Sequence, residues 1–287
     1  MARPIIEYVL FDMDGLLLAT ESVYTEVTNE ILAPYGKTMT PSIKAGLMGK
    51  LEKDSVQHLF VSLSPSNQSR QFDKLRLESP NPGVPDLTAD GYLKAREPKQ
   101  DERWPTVQLM PGARRLLTHL KQQGIPIALA TASSRRNFGL KTKNHTVIRD
   151  VFGEGEQERV VCADDVKGKT AGKPDPYIFL YAASHALSRD IGPMHQINVA
   201  DGDGDAQHVA ERARGLVFED AANGVLAAKR AGMAAVWVPD PGLSDAEKSS
   251  TMSIADQTLA SLEDFVPEEW GLPAYPTEEG KSTGINA

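Results

Sequence analysis

Asp12 and Asp14 stand two residues apart in FDMDG, directly after the apolar run IIEYVLF at residues 5–11. A carboxylate at the end of a buried strand is costly unless a cation or a reaction occupies it. The partners lie at comparable places further on. Thr131, Ala132 and Ser133 follow IPIALA (125–130), and Glu219 and Asp220 follow GLVF (215–218). Lys173 lies in the loop GKPDP. In a doubly wound sheet, ligands sit outside the carboxyl ends of the strands, so these residues are expected to converge.

Four acids, a hydroxyl and one lysine suit phosphoryl transfer to a carboxylate. Magnesium takes hard oxygen ligands, which Asp12 and Asp220 would supply, with Glu219 in support. Asp12 would attack phosphorus and form an aspartyl-phosphate. Residues i and i+2 of an extended chain face the same way. Asp14 could therefore protonate the leaving oxygen and then activate water. The Thr131 hydroxyl and the amides of Ala132 and Ser133, near a helix start, suit phosphoryl oxygens. Lys173 brings a compact charge to the same group and to the nucleophile.

Each residue also has a plainer reading. Asp12 and Asp14 could shape a turn through their side chains. Ser133 and Ser134 could be helix caps, as could Glu219 near a helix start. Asp201, Asp203 and Asp205 imitate a calcium loop, but Ala206 and Arg212 stand where that loop needs Gly and Glu. Gly168-Lys169-Thr170 resembles the end of a phosphate-binding loop, but Ala163 replaces the required first Gly.

The apolar runs are separated by amphipathic stretches. Besides those above, VVCA (160–163) and AAVWV (234–238) read as strands buried on both faces. GARRLLTHLKQQG, which stops at Gly124, and NGVLAAKRAGM read as helices. The expected fold is α/β, a doubly wound parallel sheet with a Rossmann-like core. From Glu21 to about Pro105 the alternation stops, and no strand is expected there. SVYTEVTNEIL places Val23, Val27 and Ile31 on one helical face, KDSVQHLFVSL reads as a second helix, and a third lies around Tyr92–Arg96. Residues 64–86, rich in Ser, Pro and Asn, read as a flexible loop. The expected organisation is a core of residues 1–18 and 107–287 with a helical insert over 19–106.

In this order and spacing, FDMDG, the Thr131 strand end, Lys173 of GKPDP and FED (218–220) resemble the four motifs of the haloacid dehalogenase superfamily. The insert is similar to that family's C1 cap. FDMDGLLL, LMGK (47–50), LMPGA (109–113), GIPIALAT and VFEDA extend the likeness nearly end to end, toward the pseudouridine-5′-phosphatase family and its fungal relatives. The resemblance implies a magnesium-dependent phosphomonoesterase of small sugar-like phosphates, pseudouridine 5′-monophosphate first among them. It also implies a metal site of Asp12, the Asp14 backbone carbonyl, Glu219 and Asp220. A cap loop carrying Gly49, Lys50 and Lys53 would select the substrate, although both lysines read equally as solvated surface charge. The rivals are a β-phosphoglucomutase-like mutase, a phosphatase of 2-deoxyglucose 6-phosphate or glycerol phosphate, and a non-catalytic phosphosugar-binding protein. Ala19, where the family carries an aspartate, would loosen the cap hinge.

The chain has 287 residues, a net charge of −8 and one cysteine, Cys162. An acidic balance argues against general nucleic-acid binding. A lone cysteine permits no internal disulfide, and no run reaches membrane-spanning length. The expectation is a cytoplasmic monomer or weak dimer that binds a small phosphorylated substrate, with neither nucleic acid nor membrane as partner.

Overall fold

The apolar runs pair as neighbours in one parallel sheet. The computed structural model describes residues 5–67, 71–170, 172–194 and 205–276. In chain order the elements are β1 (Tyr8–Phe11), α1 (Glu21–Leu32), α2 (Pro41–Leu47), α3 (Glu52–Leu63), β2 (Arg76–Leu77), β3 (Leu87–Thr88) and α4 (Ala89–Arg103). There follow α5 (Ala113–Gln122), β4 (Ile127–Ala130), α6 (Arg135–Thr142), α7 (Thr146–Phe152), β5 (Val160–Val161) and α8 (Tyr177–Tyr181). The chain continues through α9 (Ala206–Ala213), β6 (Gly215–Glu219), α10 (Ala222–Arg230), β7 (Ala234–Trp237), α11 (Asp245–Met252) and β8 (Gln257–Thr258).

The sheet order is β5-β4-β1-β6-β7-β8, and every pairing in it is parallel. The chain winds outward in both directions from β1, as a doubly wound sheet must. Alternation along each strand divides the core in two. Val9 and Phe11 pack with Leu129, Leu216 and Phe218 on one face. Tyr8 and Leu10 pack with Ala128, Val217 and Trp237 on the other. Phe11 is opposite both Leu129 and Phe218, and its ring stacks on Phe218 at 5.0 Å. That register delivers the next residues, Asp12, Ala130–Thr131 and Glu219, to the same end of the sheet.

Between β1 and α5 the chain forms α1 to α4 and the short β2 and β3. Val23, Val27 and Ile31 are buried, so the expected stripe of α1 is its packing face. The two connections to the sheet are tied by backbone bonds from Ala19 N to Gln108 O and from Met110 N to Leu17 O, both 2.8 Å. This link needs no side chain at position 19.

Three expectations are corrected here. The insert does contain strands: β2 and β3 form an antiparallel ribbon. The stretch 64–86, outside residues 68–70, is held in place rather than left as a loop. Leu75, Leu77 and Leu87 are buried, and the buried Asn67 amide bonds the carbonyls of Phe60 and Arg76. Its Ser, Pro and Asn content hid a few leucines at the spacing that buries them. The third helix runs fifteen residues, from Ala89 to Arg103, because Thr88 caps it through the Gly91 amide and the chain carries Pro98 within it. In the calcium-like stretch, Asp205 caps α9, whereas Asp201 and Asp203, like residues 199–204 as a whole, lie outside the described residues.

Leu77 is 1% exposed and Val84 is 37% exposed. Leu77→Ala should lower stability by about 2–4 kcal/mol in denaturant unfolding. Val84→Ala should stay within about 0.5 kcal/mol. Equal, small effects would mean that the ribbon is not part of the packed structure.

Candidate active site

The three strand-end motifs and the Lys173 loop meet at one place. Asp12 leaves β1 with its amide bonded to Phe218 O at 3.1 Å. Its carboxylate is buried, and Oδ1 accepts a bond from Lys173 Nζ at 2.5 Å. The same ammonium donates to Glu219 Oε1 at 2.6 Å and to Ala130 O at 3.3 Å. Glu219 Oε2 accepts from the amides of Asp220 and Ala221, both at 3.1 Å. Glu219 thus fixes the lysine and the turn after β6 together. Trp237 Nε1 donates to Asp220 O at 2.7 Å and anchors the next residue.

Two glycines make room for these acids. A Cβ on Gly224 would lie 1.8 Å from Glu219 Oε1. A Cβ on Gly15 would lie 2.2 Å from Asp220 Oδ2, and Gly15 also has a φ of +78° that other residues rarely adopt.

Carboxylate oxygens of Asp12, Glu219 and Asp220 lie within 4.8 Å of one another, and all three residues are buried. With Asp14 there are four acids against two ammonium groups, Lys173 and Lys141. Burial pushes the Asp12 carboxyl up to about 7, Glu219 and Asp14 push the same way, and Lys173 opposes them. Burial likewise raises Asp220, helped by Glu219 and Asp12. Burial would lower Lys173, but the charges of Asp12 and Glu219 raise it above the usual lysine range. Excess buried negative charge on hard oxygen donors fits a divalent cation such as magnesium.

Asp14 faces away from Lys173. Its Oδ2 accepts from Ser133 Oγ at 2.7 Å and from Thr131 Oγ1 at 3.4 Å. Its Oδ1 accepts from Lys141 Nζ at 2.5 Å. Burial would raise Asp14, but the Lys141 charge and its hydrogen bond hold the carboxyl below the usual range, with help from Ser133. Lys141 is the residue that sequence reading missed. RRNFGLKTK reads as a solvated basic stretch, yet Lys141 falls three residues after Phe138 on the inner face of α6, and both are buried. That spacing was the available signal.

The expected roles of the two serines separate. Ser134 caps α6 through the Asn137 amide at 3.2 Å. Ser133 is not the cap: its hydroxyl binds Asp14, and its amide donates to Thr131 Oγ1 at 3.1 Å. Ala132, Ser133, Gly49, Lys50 and Lys53 all line a cavity of about 570 Å³ between the sheet and the insert, with Asp12, Asp14 and Asp220 along its wall. Met48 O accepts from Asn223 Nδ2 at 3.3 Å, which brings the 48–51 loop against the turn after Asp220, whereas Lys53 lies in the first turn of α3 rather than on that loop. Lys53 is exposed, with its ammonium 5.9 Å from the Phe72 ring centre. On the insert side, the Thr28 and Tyr92 hydroxyls bond at 2.8 Å, and Gln100 Nε2 is buried without a hydrogen-bond partner among the described residues. Gly168-Lys169-Thr170 forms a turn in which Thr170 Oγ1 accepts from the Gly172 amide, with no helix opening on it.

Comparison with known proteins agrees with this geometry. A family model described as haloacid dehalogenase-like hydrolase matches residues 6–232. The chain belongs to that family. The (DL)-glycerol-3-phosphatase 2 of Arabidopsis thaliana is 41% identical over 273 residues, covering 95% of this chain and 94% of the relative. A Drosophila melanogaster protein named "Probable pseudouridine-5'-phosphatase" is 37% identical over 270 residues, covering 94% and 96%. A family IA hydrolase structure from Entamoeba histolytica superposes with a TM-score of 0.64 at 18% identity, over 93% of this chain and 98% of the other. That last likeness speaks to the fold alone. The enzyme class expected from the motifs, a phosphoric monoester hydrolase, stands with the family assignment. No helix among the described residues is long and apolar enough to cross a membrane.

Two outcomes follow from the crowded acids. Because burial pushes Asp12 up to about 7 and raises Asp220 with it, protons compete with a cation at lower pH. Magnesium should bind more weakly at about pH 6 than at about pH 8, with proton release seen by calorimetry in buffers of different ionisation heat. Binding with no proton release at the lower pH would place Asp12 in the ordinary carboxylate range. Gly224→Ala should displace Glu219 and cut turnover by about 10- to 100-fold while leaving the formal charge unchanged.

Proposed function

We propose that this protein is a magnesium-dependent phosphatase of small sugar or polyol phosphates, working through a phosphorylated Asp12. The observation that carries this reading is the buried Asp12–Lys173–Glu219 cluster beside Asp220, opening on a cavity that also receives Asp14. Residues 19–106 act as a cap over a core of residues 1–18 and 107–287. Asp12, Asp220, Glu219 and the Asp14 backbone carbonyl would hold the metal, which supplies positive charge to the phosphoryl oxygens when bound.

The Asp12 carboxylate attacks phosphorus, and the bond from phosphorus to the leaving oxygen breaks. Lys173 keeps the nucleophile oriented and balances charge on the phosphoryl group. Asp14 gives a proton to the leaving oxygen, which requires the incoming phosphate's negative charge to raise its carboxyl from the low range in which Lys141 and Ser133 hold it. The ionised Asp14 then takes a proton from water as that water attacks the phosphorylated Asp12, releasing phosphate. Thr131 and the Ala132 amide would meet the phosphoryl oxygens, the Ser133 amide being engaged by Thr131 Oγ1, and Gly49, Lys50 and Lys53 line the same cavity.

The insert side of the cavity suits a hydroxylated leaving group, since Thr28, Tyr92 and Gln100 offer polar atoms there. Pseudouridine 5′-monophosphate and glycerol 3-phosphate are the first candidates, in keeping with the names of the relatives. A cytoplasmic location fits such small phosphate esters.

Phosphate release from a panel of sugar, polyol and nucleoside monophosphates tests the reading. Turnover should require magnesium and fall at least about 10³-fold in Asp12→Asn. Undiminished turnover in Asp12→Asn would sink the mechanism. Isomerised substrate in place of free phosphate would indicate a mutase, and tight binding without turnover a binding protein.

A further inference from the structure

Lys141 is the most deeply placed charge that the chemistry above leaves without a role. The residue is fully buried. Its ammonium donates to Asp14 Oδ1 at 2.5 Å, to Ser133 Oγ at 2.8 Å and to the Tyr24 hydroxyl at 2.8 Å, so all three protons are used. It also sits 4.4 Å from the Trp104 ring centre. Asp14 and Ser133 belong to the sheet side. Tyr24 lies in the first turn of α1, where the insert begins, and Trp104 follows α4, where it ends. Tyr24 and Trp104 touch each other edge to face at 4.9 Å. One ammonium therefore joins Asp14 to both connections of the insert.

A purely structural reason for this lysine is weak. Burying an ammonium costs several kcal/mol, and a packed apolar side chain of similar size often serves stability as well or better. The arrangement is better suited to holding a carboxylate in one orientation. Lys141 takes one oxygen of Asp14 and Ser133 takes the other, which leaves the carboxylate no freedom to rotate.

We propose that Lys141 is a positioning residue that sets Asp14 against the leaving oxygen, and that Tyr24 makes this setting depend on how the inserted helices sit on the sheet. The inference rests on Asp14 being the acid–base group of the phosphatase. It implies that cap placement and proton transfer are linked through a single side chain.

The test compares two leaving groups. An alkyl phosphate such as glycerol 3-phosphate expels an alkoxide that needs a proton. p-Nitrophenyl phosphate expels a phenolate that is stable without one. The value of kcat/KM reports the first phosphoryl transfer, so only the alkyl substrate should register a misplaced acid. Lys141→Met should lower kcat/KM for the alkyl phosphate by about 10²-fold. The aryl phosphate should lose less than about threefold, and in an Asp14→Asn background the same change should add less than about twofold on either substrate. If Lys141→Met does not fold, Tyr24→Phe decides. Its melting temperature should be near that of the wild type, and the alkyl-to-aryl ratio should fall by about fivefold. Equal losses on both substrates, an unchanged ratio or a raised ratio would overturn the Lys141 role while leaving the phosphatase reading intact. Aryl phosphate turnover by the wild type that survives Asp12→Asn would instead remove the phosphatase reading, and this inference with it.

Discussion

Three buried carboxylates and the half-buried Asp14, beside two ammonium groups at the end of a parallel sheet, are the condition to which the rest of the structure answers. Left alone, such a cluster repels itself, and part of it takes up protons. The chain meets this by giving each acid a fixed set of donors. Asp12 and Glu219 share Lys173, Glu219 also takes two amides, and Asp14 takes Lys141 and Ser133. Asp220 has no comparable cation among its closest partners, and burial pushes its carboxyl well above the usual range. The unmet negative charge lies where a divalent cation and a phosphoryl group would meet.

Holding those acids together is mostly the work of groups with no chemistry of their own. The stacked Phe11 and Phe218 set the register that places Asp12 beside Glu219. Trp237, one strand further out, reaches back to the Asp220 carbonyl. Gly15 and Gly224 supply empty volume where a methyl group would strike a carboxylate. A site built on strand ends and backed by packed rings has little room to rearrange, which is what transfer between fixed atoms demands.

The insert contributes in a different way. Its helices pack mainly on each other, and it meets the rest of the chain through paired backbone at residues 17–19 and 108–110, through the 48–51 loop, and through the Lys44–Asp240 and Arg136–Asp101 ion pairs. Lys141 adds a connection that runs straight to Asp14. A phosphatase must admit a charged ester and shield it from bulk solvent while leaving room for one attacking water, so a physical link between the inserted helices and Asp14 has an evident use.

The strand ends and the acids on them were legible in the sequence because burial on both faces leaves an uninterrupted apolar run, and the residue after it stands out. Asp12, Asp14, Thr131, Glu219 and Asp220 were singled out that way, Lys173 from the loop GKPDP, and the parallel sheet followed from the same runs. The ribbon of β2 and β3 was hidden because two-residue strands carry no periodicity, and the length of α4 because Pro98 and a charged stretch mask it. Lys141 was invisible as a functional residue. A lysine in a basic stretch reads as solvated until the fold shows that α6 turns it inward onto Asp14 and Tyr24. Local composition determined which chemistry this chain can perform, since only certain side chains can attack, donate or bind a cation. Tertiary structure alone decided which charges face each other, because electrostatic pairing depends on separations in space between residues more than a hundred positions apart in the chain.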